Sequence, residues 1–394
     1  MRSQSFAGAI TAPEAPAPAA RGPAIDLPGL TGLRGIAAST VMLAHLGFGN
    51  IAAPFRALLW HNAAVDLFFV LSCFTLFHVY DRPGQAIGWR QYAVRRVARI
   101  YPLYLFLFVL AAAHNAHFYT TQWARFRLDT LRQALLVNCW PFIGDNVTWI
   151  VPSWSLSVEW LAYFVLFPLL FIFHRRWGAR LAWPPLMLPL SLLAALGGYY
   201  VYTRLFQWGD LSIHSDRLPV LRQIAPAARV LMGFLAGYAI FLCDRGLRQR
   251  RYGNPASGPI LRAAAPVTAL LALAVLGLGA ADRLPIDLMI VLAPLLVLCA
   301  ASSGNVVSAA LSVAPLIWLG ELSYSIYLVH YPVLIVTEEV LQLAFGVSHE
   351  WFITNPQIMA PVMAVISVGL AIALHRWLEV PGGRWIRRRV WSGR

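Results

Sequence analysis

The sequence predicts an all-α polytopic membrane protein of about ten transmembrane helices in one bundle. Three observations carry that expectation. The chain is 59% hydrophobic and only 12% charged, against about 25% charged residues in an ordinary globular protein. Apolar runs approaching the ~20 residues that a spanning helix needs recur along its length. Short clusters of Arg stand between them, the pattern of membrane loops.

The runs fall at 30–48, 63–80, 100–117, 154–173, 183–203, 226–243, 264–281, 286–301, 315–336 and 358–378. A shorter run, 131–143, is too brief to span and is expected to re-enter or to lie at the interface. Residues 1–24 are rich in Ala and Pro, the composition of a disordered tail and a poor signal peptide. Residues 25–380 then form one transmembrane domain and 381–394 a basic tail. Neither an internal repeat nor a large soluble domain is evident.

The net charge is +14, and all 31 basic residues are Arg. Without Lys, Schiff-base and P-loop lysine chemistry is excluded. The Arg clusters point to a lipid bilayer rather than to nucleic acid. With both termini cytoplasmic, the inner loops and C-terminal tail hold 18 Arg and the outer loops 8, so the positive-inside rule favours that orientation. Cys73, Cys139, Cys243 and Cys299 lie in or beside apolar runs with no CxxC pair. They read as small buried hydrophobes, and no metal framework is expected.

Against this background the polar residues inside the spans stand out. Arg34 and His45 in the first span are eleven residues apart. They share a helix face within about 20°, separated by roughly 16 Å along the axis. Arg34 alone reads as an interfacial cation; a membrane-embedded His reads as functional. Asp66, the acid of the second span, is either a functional group or a carboxylate stabilised at a helix N-terminus. Arg96 and Arg99 share a face at the mouth of the third span, suited to anchoring or to gripping phosphate. Ser155 and Glu159 are i, i+4 in the fourth span, and Glu159 has no basic neighbour within it. Near the C-terminus, LGELSYSIYLVHYPV holds Glu321, Tyr324, Tyr327 and His330, and the two tyrosines read as packing residues. Alternating helix directions place His45, Asp66, Glu159 and His330 in one outer layer and Arg34, Arg96 and Arg99 in the opposite, inner layer.

Five stretches, LTGLRGIAAS…H, DLFFVLSCF, RRVARIYPLY, WSLSVEWLAYFVLFP and LSYSIYLVHYP, resemble the acyltransferase-3 family of bacterial integral membrane O-acyltransferases. They occur in order from residue 30 to 332. The resemblance implies an acyl-CoA donor, typically acetyl-CoA, and a hydroxyl of an envelope or exported glycan, free or lipid-linked, as acceptor. The family's Arg-ten-residues-His motif falls on Arg34 and His45, its Arg-x-x-Arg on Arg96 and Arg99, and its WSL-type Ser and Glu on Ser155 and Glu159. Thr31 stands where the family often has Asp, and Cys73 where it often has Gly.

The expected pathway docks CoA phosphates on Arg34, Arg96 and Arg99 at the inner face of a bacterial cytoplasmic membrane. His45 then acts as general base, with Glu159 or Asp66 orienting its ring. A transient acyl-His intermediate is the alternative. Ser155 is either an oxyanion or orienting donor or a helix cap. A secondary transporter would bury the same residue types, but would more often show internal repeats and broken helix pairs. A non-glycan hydroxylated small molecule is the other acceptor to weigh.

Overall fold

The computed structural model describes residues 27–81, 88–116, 122–181, 183–205, 219–253 and 257–391. The Ala/Pro-rich segment 1–24 and residues 392–394 of the basic tail lie outside them. Every regular element among the described residues is helical, and the protein is an all-α polytopic membrane protein.

Helix α1 (Pro28–His45) leads through short 3-10 turns to α2 (His61–Tyr80), and α3 covers Trp89–Ala116. The short α4 (Trp123–Ala134) precedes α5 (Ser153–Leu161), which continues through a π-turn, Ala162–Leu166, into α6 (Phe167–Leu181). There follow α7 (Pro184–Leu205), α8 (Pro219–Gly253), α9 (Ser257–Ala280), α10 (Met289–Ala301), the short α11 (Val306–Leu311) and α12 (Ala314–Phe345). After the short α13 (His349–Thr354), α14 (Pro356–Leu374) passes through a second π-turn, His375–Glu379, into α15 (Val380–Trp391). Most of the basic tail is therefore helical and continuous with the last span.

Eight of the ten expected spans are helices long and apolar enough to cross a membrane. The eighth span, Ile286–Ala301, is apolar but shorter. The first is not among the eight; it is an 18-residue helix ending at His45 instead of residue 48. Arg34 and His45 dilute its apolar character, which is tolerable because α2, α10, α11 and α12 enclose it. The third helix begins at Trp89, well before residue 100. Arg95, Arg96 and Arg99, which precede the third apolar run, therefore sit on the helix itself, consistent with the shared face of Arg96 and Arg99.

The seam between α1 and α12 is built from glycine. A Cβ on Gly35 would lie 2.7 Å from both Gly320 N and Leu316 O, and one on Gly320 would lie 2.0 Å from Thr31 O. Small residues let membrane helices approach backbone to backbone. Gly320→Ala should therefore lower the thermal midpoint in detergent by more than Gly369→Ala, since nothing lies within 4 Å of a Cβ at Gly369. Overpacking of this kind costs about 1–3 kcal/mol; equal midpoints for the two variants would refute a tight seam.

Helix α2 is tied to α8 at both ends. Toward one end, Arg229 grips Asp66; at the other, Asp81 meets Arg245 and His174. Between them, Cys73 is accommodated by Gly237, whose added Cβ would lie 2.8 Å from the Cys73 Cβ. All four cysteines are buried and free, as expected.

The run 131–143 divides between the end of α4 and an irregular loop to residue 152 that folds into the bundle. Leu136, Asn138, Cys139 and Ile150 are buried. Ser157 Oγ donates to Leu136 O at 2.9 Å and accepts from Cys139 N at 3.0 Å. The Asn138 side chain donates to Val147 O at 3.0 Å. Irregular backbone inside a membrane protein needs such partners. The loop leads into α5, whose first six residues, Ser153 to Val158, are all buried.

Candidate active site

A cavity of about 260 Å³ opens among α1, α2, α3, α5 and α12. Arg34, Arg96 and Arg99 line one end, and the inference that they share a layer holds. Arg34 Nη2 donates to Ser323 Oγ at 3.1 Å. The Arg96 guanidinium lies 5.4 Å from the Tyr163 ring centre and 5.7 Å from that of Tyr92. Its Nε is buried without a hydrogen-bond partner among the described residues. A buried, unsatisfied cationic donor facing a cavity is a place for an anion.

Glu159 belongs to this end, and the expected outer layer is corrected here. It lines the same cavity as the three arginines and accepts from Ser72 Oγ at 2.5 Å and from the Tyr163 hydroxyl. Ser155, one turn earlier, marks the opposite end of the cavity. Its Oγ donates to Pro152 O at 3.1 Å and lies 2.7 Å from Tyr327 Oη. Tyr324 and Tyr327, read from sequence as packing, both line the cavity, and Tyr324 also donates to Ile100 O at 2.6 Å. Glu321 is exposed and borders a separate groove with Trp318 and Arg376.

Asp66 is 3% exposed and lies outside the cavity lining. Arg229 Nε and Nη2 donate to its two oxygens at 2.8 and 2.7 Å, and Nη2 also reaches Asn62 O. This bidentate, buried pair spends the carboxylate on α8, not on His45. A lone Arg inside an apolar span is a recognisable signal for such a partner, and Arg229 is the residue that the reading of Asp66 lacked.

His45 does meet a partner, and it is His330. The two rings are stacked with centres 5.1 Å apart, and His330 Nε2 lies 3.2 Å from His45 Nδ1. His61 packs edge-on against His45 at 5.3 Å. Backbone carbonyls assign the tautomers, because a carbonyl only accepts. His330 Nδ1 is 3.0 Å from Ile326 O, so Nδ1 carries the proton and Nε2 a lone pair. His45 Nδ1 is 3.0 Å from Val41 O and faces that lone pair, so it too is protonated. The basic nitrogen of His45 is therefore Nε2.

The histidine pair sits just past the end of the cavity. Phe68 and Tyr327 form the intervening layer, their rings 5.9 Å apart and edge-on, with Tyr327 6.1 Å from His330. One helix pair, α1 and α12, thus carries a cation contact (Arg34 with Ser323) and an imidazole contact (His45 with His330) at two levels.

A family profile described as an acyltransferase domain matches residues 27–376. Acyltransferase MdmB of Streptomyces mycarofaciens is 28% identical, covering 93% of this chain and 94% of the relative. Peptidoglycan O-acetyltransferase OatA of Listeria monocytogenes is 23% identical over 90% of this chain and 55% of its own. Putative peptidoglycan O-acetyltransferase YrhL of Bacillus subtilis is 26% identical, with coverages of 93% and 57%. The chain thus spans little more than half the length of these two peptidoglycan relatives. No solved structure matches significantly. With the motifs in order along the helices that build the cavity and a profile match across nearly all described residues, the chain belongs to the acyltransferase-3 family of membrane enzymes.

Proposed function

We propose that this enzyme is an O-acetyltransferase that moves an acetyl or short acyl group from acyl-CoA to a hydroxyl of an envelope or exported glycan. The observation that carries the reading is the cavity itself, with three guanidinium groups at one end and the His45–His330 pair beyond the other. The arginine end suits a polyanionic donor: Arg34, Arg96 and Arg99 offer forked donors, and Arg96 Nε is buried without a hydrogen-bond partner among the described residues. Glu159 serves that end by holding Ser72 and Tyr163 in the cavity wall.

His45 Nε2 takes the proton from the acceptor hydroxyl as its oxygen attacks the acyl carbon. His330 accepts from His45 Nδ1 throughout, fixing the ring as a carboxylate does in a catalytic triad. The imidazolium then returns its proton to the departing thiolate, which leaves His45 neutral for the next turnover. Asp66 acts at one remove, locking α2 to α8 through Arg229.

The arginine end faces the cytoplasm of a bacterial inner membrane in this reading, with both termini on that side. A C-terminal reporter that functions only outside the cytoplasm should be silent, and a cytoplasmic one active; the reverse pattern would overturn the orientation. The relatives named for peptidoglycan support a glycan acceptor. A relative matched along nearly its whole length is named only as an acyltransferase, with no acceptor in its name, which leaves a hydroxylated small molecule as the second reading. Purified enzyme with acetyl-CoA should release CoA thiol faster when hydroxylated acceptor is added. Acceptor uptake into vesicles with no thiol release would point instead to transport.

A further inference from the structure

The end of the cavity nearest the histidines is mostly apolar, lined by Val65, Phe68 and Leu156. Among the described residues, the hydroxyls offered there are those of Ser155 and Tyr327; Ser72, farther along, is committed to Glu159. Tyr327 is four residues after Ser323 and three before His330 on α12. It therefore stands roughly 6 Å from the level of the Arg34 contact and about 4.5 Å from that of the imidazole contact. A thioester anchored at the arginines and attacked by an oxygen activated at His45 has its carbonyl at this level.

Either hydroxyl could donate in the contact between them, and one assignment of the two protons satisfies both contacts of Ser155. Ser155 donates to Pro152 O, a partner that only accepts. The 2.7 Å contact between Ser155 and Tyr327 is then made with the tyrosine proton. In this assignment Ser155 is a placeholder acceptor for the Tyr327 O–H, and both side chains line the cavity.

We propose that Tyr327 is a catalytic residue whose hydroxyl donates to the oxyanion formed on the acyl carbonyl, with Ser155 positioning it. This rests on the acyl-transfer reading above. The change is one of hydrogen-bond partner: the Tyr327 proton turns from Ser155 Oγ to the oxyanion, and no covalent bond is made or broken. Such a donor matters most where charge develops in a dry site.

The test uses full-length enzyme and acetyl-CoA, with desulfo-CoA as the binding probe. Tyr327→Phe should lower kcat by about 10²–10³, while KM for acetyl-CoA and the desulfo-CoA Kd stay put. Ser155→Ala should cost less, and the double variant no more than Tyr327→Phe alone, because Ser155 acts through Tyr327. A residue that merely packed would move KM and thermal midpoint together. Fluorotyrosines at position 327, nearly isosteric with tyrosine, should change the rate with hydroxyl acidity. A rate indifferent to fluorination, or full kcat in Tyr327→Phe, overturns the proposal while His45→Gln remains inactive. Activity in His45→Gln would instead overturn the reading beneath it.

Discussion

His45→Gln should abolish acyl transfer while leaving the fold and donor binding nearly intact. Glutamine retains similar size and a hydrogen-bonding end, so Val41 O and His330 still find a partner, but no basic nitrogen replaces Nε2. Loss of a general base costs about 10²–10⁴ in rate or more. Donor affinity should hold, because Arg34 lies eleven residues away on α1 and grips the other end of the cavity. His330→Ala should produce a smaller loss, as an orienting partner does, and His330→Gln a smaller one still, because its amide oxygen can accept from Nδ1. The readouts are acetyl transfer to the cell's own glycan, desulfo-CoA binding and a melting curve in detergent. Near-wild-type transfer by His45→Gln would place the base elsewhere.

The second large effect belongs to the donor end. Arg96→Ala or Arg99→Ala each removes a charge-assisted contact of roughly 1.5–3 kcal/mol. Affinity for acetyl-CoA should then fall by about 10- to 100-fold. Desulfo-CoA should weaken in parallel, because the phosphates, not the acyl group, are held. Arg95 is exposed, so Arg95→Ala serves as the control and should leave both affinities unchanged. If folded Arg96 or Arg99 variants bind both ligands normally, those residues are membrane anchors.

Much of this architecture was legible in the sequence because a bilayer makes apolar length decisive. The long apolar helices appear where hydropathy put them. Arg34 and His45 share one helix, and the three arginines do converge. What sequence could not carry is which side chains meet across helices. Glu159 is placed among the histidines by the alternation of helix directions, which fixes no contacts between helices, whereas it lines the cavity with the arginines. Asp66 reads as a functional group or a helix-end carboxylate, and neither reading supplies its partner, Arg229 of α8, more than 160 positions away. The partner of His45 proved to be a second imidazole, His330, a type of residue that was not sought for that role.

The ring layer of Phe68 and Tyr327 also has an electrical consequence. A passage lined by three guanidinium groups and open at both ends would conduct anions, and a membrane potential would drive them. Moving one charge through 100 mV is worth about 2.3 kcal/mol, so even a narrow leak would drain the gradient on which a cell depends. Here two edge-on aromatic rings, Phe68 and Tyr327, line the cavity on the side toward the pair of stacked imidazoles. In the proposed reaction what passes that layer is a neutral acyl group, one at a time, which would dissipate no voltage and let the enzyme turn over in an energised membrane without acting as a shunt.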